Sequence, residues 1–167
     1  ANGVVGQDAD LYGKYNFDVE KANKLLDEAG YPRGEDGIRF TLGLEGPNGR
    51  YTMDSDVCQA VASMLMENVG IQVDLQLYDS TTYVNILSPR EFKDAAMYCF
   101  GDNFFDGIYA IACYTPDFSM GETDYNNPRM NELYSSAMAN MNLEERVAQI
   151  EEAQQIAAEE VLSLIHI

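Results

Sequence analysis

The side chains best suited to chemistry gather in one stretch, Cys99-Phe100-Gly101-Asp102-Asn103-Phe104-Phe105-Asp106-Gly107. Two carboxylates stand there among three phenylalanines. A carboxylate in an apolar setting pairs well with an ammonium group, and aromatic rings cover an apolar chain. The stretch therefore suits a ligand that carries both. Its bland counterpart is a loop in which an aspartate caps a helix and the phenylalanines fill a core. Bond-making chemistry has less support. The sequence holds no nucleophile elbow, phosphate loop, dinucleotide fingerprint or metalloprotease motif. Its only histidine, His166, reads as a residue of a terminal strand rather than as a general base. Cys58, Cys99 and Cys113 are odd in number and form no Cys-x-x-Cys, so neither a disulfide framework nor a zinc site is expected. The pairs Glu144-Glu145, Glu151-Glu152 and Glu159-Glu160 read as the solvated side of a helix rather than as acid/base couples. No catalytic residue, metal or cofactor is expected.

The elements that must position this stretch can be read from periodicity. Asp18 caps a first helix, with Phe17 as one half of a staple and Ala22, Leu25, Leu26 and Ala29 on one face. Gly30 sits where a left-handed residue ends a helix, and Pro32 blocks continuation. Ile38, Phe40, Leu42 and Leu44 alternate with other residues as a strand does. Gly46-Pro47-Asn48-Gly49-Arg50 reads as a loop. Helical spacing follows from about Asp54 to Val69, then a second alternating strand from Ile71 to Leu77. Strand, helix and strand in that order make a βαβ unit with parallel strands. A short helix is expected over Ser80 to Leu87, and a third strand, buried on both faces, over Ala95 to Phe100. The chemically capable stretch thus begins where a parallel strand ends, the place where open α/β sheets bind ligands. Residues 101–127 show no period, and long irregular stretches in compact domains are often functional. Two helices follow, one from Pro128 and one after Asn142. The second carries Leu143, Val147, Ile150, Ile156 and Ala157 inward. Residues 1–16 read as an irregular segment, and 162–167 as a last strand.

Charge removes whole classes of partner. The 167 residues include 28 acidic and 10 basic ones, for a net charge of −18. A phosphate backbone needs a basic face, so no nucleic-acid partner is expected, and an anionic membrane surface repels the chain for the same reason. No apolar run is long enough to cross a bilayer, and no basic-then-apolar leader opens the sequence. At 46% hydrophobic residues, one packed domain is expected.

Several stretches resemble the family 5 extracellular solute-binding proteins of peptide and nickel ABC importers. The most specific runs from Phe17 through Asp18, Lys21, Ala22, Leu25, Leu26, Glu28, Ala29, Gly30 and Tyr31 to Pro32. Pro47 to Tyr51, Val69-Gly70-Ile71-Gln72-Val73, Asn127-Pro128-Arg129-Met130-Asn131-Glu132-Leu133 and the span from Glu144 to Ile167 follow in family order. The resemblance implies an α/β, periplasmic-binding-protein type II-like lobe with a mostly parallel sheet flanked by helices. It implies that 1–167 is a single lobe, the second of two, with an N-terminal lobe as its partner. The implied function is capture of peptides between two lobes and delivery to a membrane permease, outside the cytoplasm, with or without a lipid anchor. Other solutes, an oligosaccharide or a nickel chelate, remain open, as does an interaction or signalling module reusing the lobe. In peptide-binding relatives an aspartate after a strand of this lobe holds the ligand's amino group. The matching position is Asp102, with Cys99, Phe100, Gly101, Asn103 and Phe104 around it, and Asp106 as a rival. This sequence departs from the family there: it has no tryptophan, and Gly107 stands after Asp106 where proline is usual.

Overall fold

The computed structural model describes residues 16–87, 91–99, 106–116 and 125–160. The expected segment over 1–16 falls outside them but for Asn16, and the expected strand over 162–167 lies wholly outside. The chain folds as two compact units, one over Asn16–Cys99 and one whose described residues run from Asp106 to Glu160.

The first unit opens with helix α1, Val19–Glu28. Asp18 caps it by accepting the Lys21 N–H, and Gly30 ends it at φ +88° while the Tyr31 N–H reaches back to the Leu26 carbonyl. The staple does not form. Phe17 is 83% exposed, because its partner position, Ala22, offers only a methyl group. What fixes α1 is Arg39, whose side chain is 2% exposed. Its guanidinium donates to the Val69 carbonyl at 2.8 Å, Asp27 at 2.5 Å, Asn23 at 2.9 Å and the Tyr31 carbonyl. Arg33 adds bonds to the Gly37 and Asn68 carbonyls.

Strand β1, Phe40–Asn48, pairs in parallel with β2, Ile71–Asp79, over nine residues from Phe40↔Ile71 to Asn48↔Asp79. Helix α2, Asp54–Met64, connects them, its last turn continuing as a π-turn over Leu65–Val69 that Gly70 ends at φ +73°. Helix α3, Ser80–Leu87, leads to β3, Ala95–Ala96, which pairs with β1 at Leu44 and Glu45. The order is β2-β1-β3, all parallel. On one face Gly46 of β1 lies against Cys58 of α2, too close for any side chain. The opposite face is polar. There the Gly43 N–H donates to Asp94, the Lys93 N–H to Glu45, and Gln72, Asp74 and Gln76 are exposed.

In the sheet, two segments differ from expectation. The turn residues Gly46, Pro47 and Asn48 belong to β1. Glu45 turns its carbonyl toward β3, where it accepts the Met97 N–H. Pro47, two residues on, faces the same side past the end of the β3 ladder, so its missing N–H breaks no strand bond. The third strand is also shorter than its apolar run suggests. Among its described residues only Ala95 and Ala96 pair, residues 95–98 are half-buried and Cys99 is exposed, while Phe100 lies outside the described residues. An apolar run becomes a doubly buried strand only where neighbours cover both faces.

The second unit is helical. Asp106 caps the short helix α4, Gly107–Ala112, which lies in the stretch that showed no period. Helix α5, Pro128–Ala139, starts with Asn127 as cap and Pro128 in the first position, and α6, Leu143–Glu159, starts on Asn142. Ile108, Ile111, Met130, Leu133, Ala137, Ile150 and Ala153 form the core. Leu143, expected inside, is 64% exposed at the first turn of α6, before that helix meets its neighbours.

Candidate functional site

Of the seven residues singled out from sequence, Phe100, Gly101, Asp102, Asn103 and Phe104 lie outside the described residues. Cys99 is exposed at the end of the first unit. Asp106 belongs to the second unit and is already engaged. One oxygen accepts the Ile108 N–H at 3.1 Å; the other pairs with Arg146 at 2.8 Å, whose Nε donates to the Ala137 carbonyl. A carboxylate that caps a helix and holds a guanidinium has little left for a ligand ammonium.

The geometry of the first unit singles out the carboxyl edge of its sheet. In the order β2-β1-β3 the chain goes from β1 to one neighbour and then returns to the other side of β1, which puts the reversal of strand order between β1 and β3, and ligands of open α/β sheets bind at such points. From β1 the chain runs into a loop built around Asp54. This side chain is 2% exposed and accepts four backbone N–H groups: Gly49 at 3.1 Å, Arg50 at 2.7 Å, Tyr51 at 2.9 Å and Ser55 at 2.8 Å. These bonds, that from Tyr51 foremost, hold its carboxyl at about 2 against an ordinary 3.8, with burial opposing. Gly49 at φ +88° and Met53 at φ 57° let the loop close around the carboxylate.

That loop presents Arg50. Its guanidinium is exposed, donates from Nε to the Tyr51 hydroxyl at 2.9 Å, reaches Ser80 Oγ at 3.4 Å and stands 5.3 Å from the Tyr51 ring centre. The Tyr51 hydrogen bond, with Tyr98 and Tyr83 also near, raises its pKa further. Among the described residues no carboxylate forms an ion pair with it, in a chain with 28 acidic residues. A cation so placed, oriented by neutral groups and with no paired carboxylate among the described residues, suits an anionic ligand group. From sequence, Arg50 had been read only as part of a turn. The signal that marks it is a lone arginine directly after a parallel strand.

The model of bacterial extracellular solute-binding proteins, family 5 Middle, matches residues 1–120. The chain belongs to this family. Among solved structures, this family 5 chain is similar to the murein tripeptide binding protein MppA of Escherichia coli, with 24% identity and a TM-score of 0.74 over 86% of the chain. It is also similar to OppA of Haemophilus influenzae in complex with RPPGFSPFR, with 22% identity and a TM-score of 0.76 over 94%. AgaA of A. tumefaciens R10, in complex with agropinic acid, gives 24% identity and a TM-score of 0.79 over 95%. The chain spans 27%, 30% and 32% of the length of these three, respectively. Among curated proteins no sequence matches significantly. The fold is that expected: an α/β, type II periplasmic-binding-protein architecture with a parallel sheet flanked by helices. Among the described residues, no helix is long and apolar enough to cross a membrane, and no group of three or more His, Cys, Asp or Glu could hold a metal ion.

Proposed function

We propose that this chain is one lobe of the substrate-binding component of an ABC importer, which captures peptides between two lobes outside the cytoplasm and delivers them to a membrane permease. The observation that carries the reading is Arg50, a guanidinium without a carboxylate partner among the described residues, at the carboxyl edge of β1 beside the exit of β3. A peptide offers one carboxylate and one ammonium. Arg50 suits the first, and Asp102, in the aromatic stretch after β3, suits the second. Backbone groups from Cys99 to Gly101 would pair with an extended ligand as an added strand does. Family membership and the likeness to MppA, a binding protein, and to OppA in complex with RPPGFSPFR support a binding role over catalysis. The complex of AgaA with agropinic acid favours a second reading, a small organic acid held by the same Arg50.

Calorimetry on the full-length protein separates the two. For a peptide binder, Asp102→Ala weakens free-amino peptides at least tenfold and leaves N-acetylated ones unaffected, while Arg50→Ala weakens both. A small-acid binder responds to Arg50→Ala alone. Loss of neither affinity sinks the site assignment, and turnover of a peptide pool would revive an enzyme.

A further inference from the structure

We infer that Tyr83 is a positioning residue for ligand capture, acting through the main chain of Met97; the inference rests on the carboxyl edge being the binding site. Tyr83 stands on α3, is fully buried and is the largest of the fully buried side chains. Its hydroxyl donates to the Met97 carbonyl. Met97 is the first residue beyond β3. Its N–H donates to the Glu45 carbonyl of β1 at 2.9 Å, and its sulfur lies 3.5 Å from Cys58 Sγ of α2. One residue is thus held from β1, α2 and α3 together.

The anchor matters because the strand itself is weak. Only Ala95 and Ala96 pair with β1, and by Cys99 the chain is exposed. Met97 is therefore a three-way fixed point shortly before the stretch assigned to the ligand. In an extended chain successive peptide groups alternate in direction. Fixing the Met97 carbonyl therefore sets which way the Tyr98 and Cys99 groups point, and the Cys99 group is one of those that would meet an extended ligand. A phenylalanine would fill the same space. Its hydroxyl is what makes this residue a tyrosine, since a buried hydroxyl is favourable only where it finds a partner.

The inference is tested by hydrogen exchange on Tyr83→Phe, which keeps the ring and removes the hydroxyl. We expect exchange at Tyr98 and Cys99 to rise about tenfold while the β1–β2 ladder amides hold their rates. Cys58→Ala, which frees the Met97 sulfur but leaves its carbonyl held, serves as the control without that rise. Unchanged exchange at Tyr98 and Cys99, or an equal rise throughout the sheet, overturns the inference. The unsubstituted protein gives an independent readout by NMR. Exchange of the Tyr83 hydroxyl proton should slow several-fold when a free-amino peptide saturates the site, because coupling between two sites is reciprocal. No slowing at saturation overturns a role in capture. If the protein binds no peptide at all, the peptide reading fails, while the exchange data on Tyr83→Phe still decide the anchor.

Discussion

Gly46 is the point where β1 and α2 come closest, and an alanine there puts the packing to a quantitative test. Its Cβ would come inside the 3.0 Å limit that real Cβ atoms observe, against Cys58 Sγ. The next neighbours are Leu77 Cδ2 at 3.4 Å and Cys58 Cβ at 3.6 Å, which are ordinary contacts. The sulfur has little room to yield. Cys58 is 2% exposed, and its Sγ already lies 3.5 Å from Met97 Sδ. Overpacking of this kind costs about 1–3 kcal/mol. Cys58→Ala alone removes one buried sulfur, at roughly 1 kcal/mol. Combined, the two changes leave only the ordinary contacts. Gly46 has no positive φ, so alanine fits its backbone and adds about 0.4–1 kcal/mol by restricting the unfolded chain. The double variant should therefore be at least as stable as Cys58→Ala, with a coupling energy of about 1–3 kcal/mol. Urea unfolding checks this, followed by far-ultraviolet circular dichroism because the chain has no tryptophan. Gly46→Ala alone should lower the midpoint by about 1 M. Additive losses in the double variant would refute the contact as the cause.

Further predictions concern the anchors of each unit. Asp54 has its folded carboxyl lowered from 3.8 to about 2, so its stabilisation is complete above pH 3.8 and is lost as pH falls through about 2. The stability gap between the natural protein and Asp54→Asn should be full at pH 6 and shrink from pH 4 downward, measured as urea midpoints against pH. A gap that is flat with pH contradicts the ionised grip. Arg39→Lys keeps the charge but cannot reach the Val69, Asn23, Asp27 and Tyr31 acceptors together. It should cost about 2–3 kcal/mol in chemical denaturation and release the α1 amides in hydrogen exchange, whereas a loss below 0.5 kcal/mol on the order of surface substitutions would deny the clamp. Ile150 is fully buried in the second unit, so Ile150→Ala should cost about 2–5 kcal/mol, read from the thermal midpoint; an unshifted midpoint removes it from the core.

Local chemistry made much of the fold legible. Asp18 and Asn142 cap the helices they are expected to cap, because a side-chain oxygen before an apolar period has one obvious use, and Pro128 takes the first position of its helix. The alternation from Ile71 to Leu77 gave β2, and the order strand, helix, strand gave the parallel pair. What failed depended on neighbours distant in sequence. Pro47 looks like a turn until one knows that β3 stops short of it. The run from Ala95 to Phe100 looks like a buried strand until one counts the pairing partners of its described residues. Helix α4 escaped notice because six residues span too few turns to show a period. At the site, attention went to the carboxylates after β3, while Arg50 passed as a turn residue. Its distinction lies in its place at the carboxyl edge of β1, where no carboxylate among the described residues pairs with it, and place and pairing are properties of the folded chain.

The grip of Asp54 has a consequence for how such a protein can diversify. All four of its hydrogen bonds go to main-chain N–H groups, so the loop's shape does not depend on which side chains stand at 50 and 51. Frame and reader are separate heritable parts. On the proposed reading, a single substitution at Arg50 retunes what the edge of the sheet recognises while the loop that carries it keeps its path. Relatives could then drift among cargoes without rebuilding their scaffold, provided the carboxylate at 54 stays.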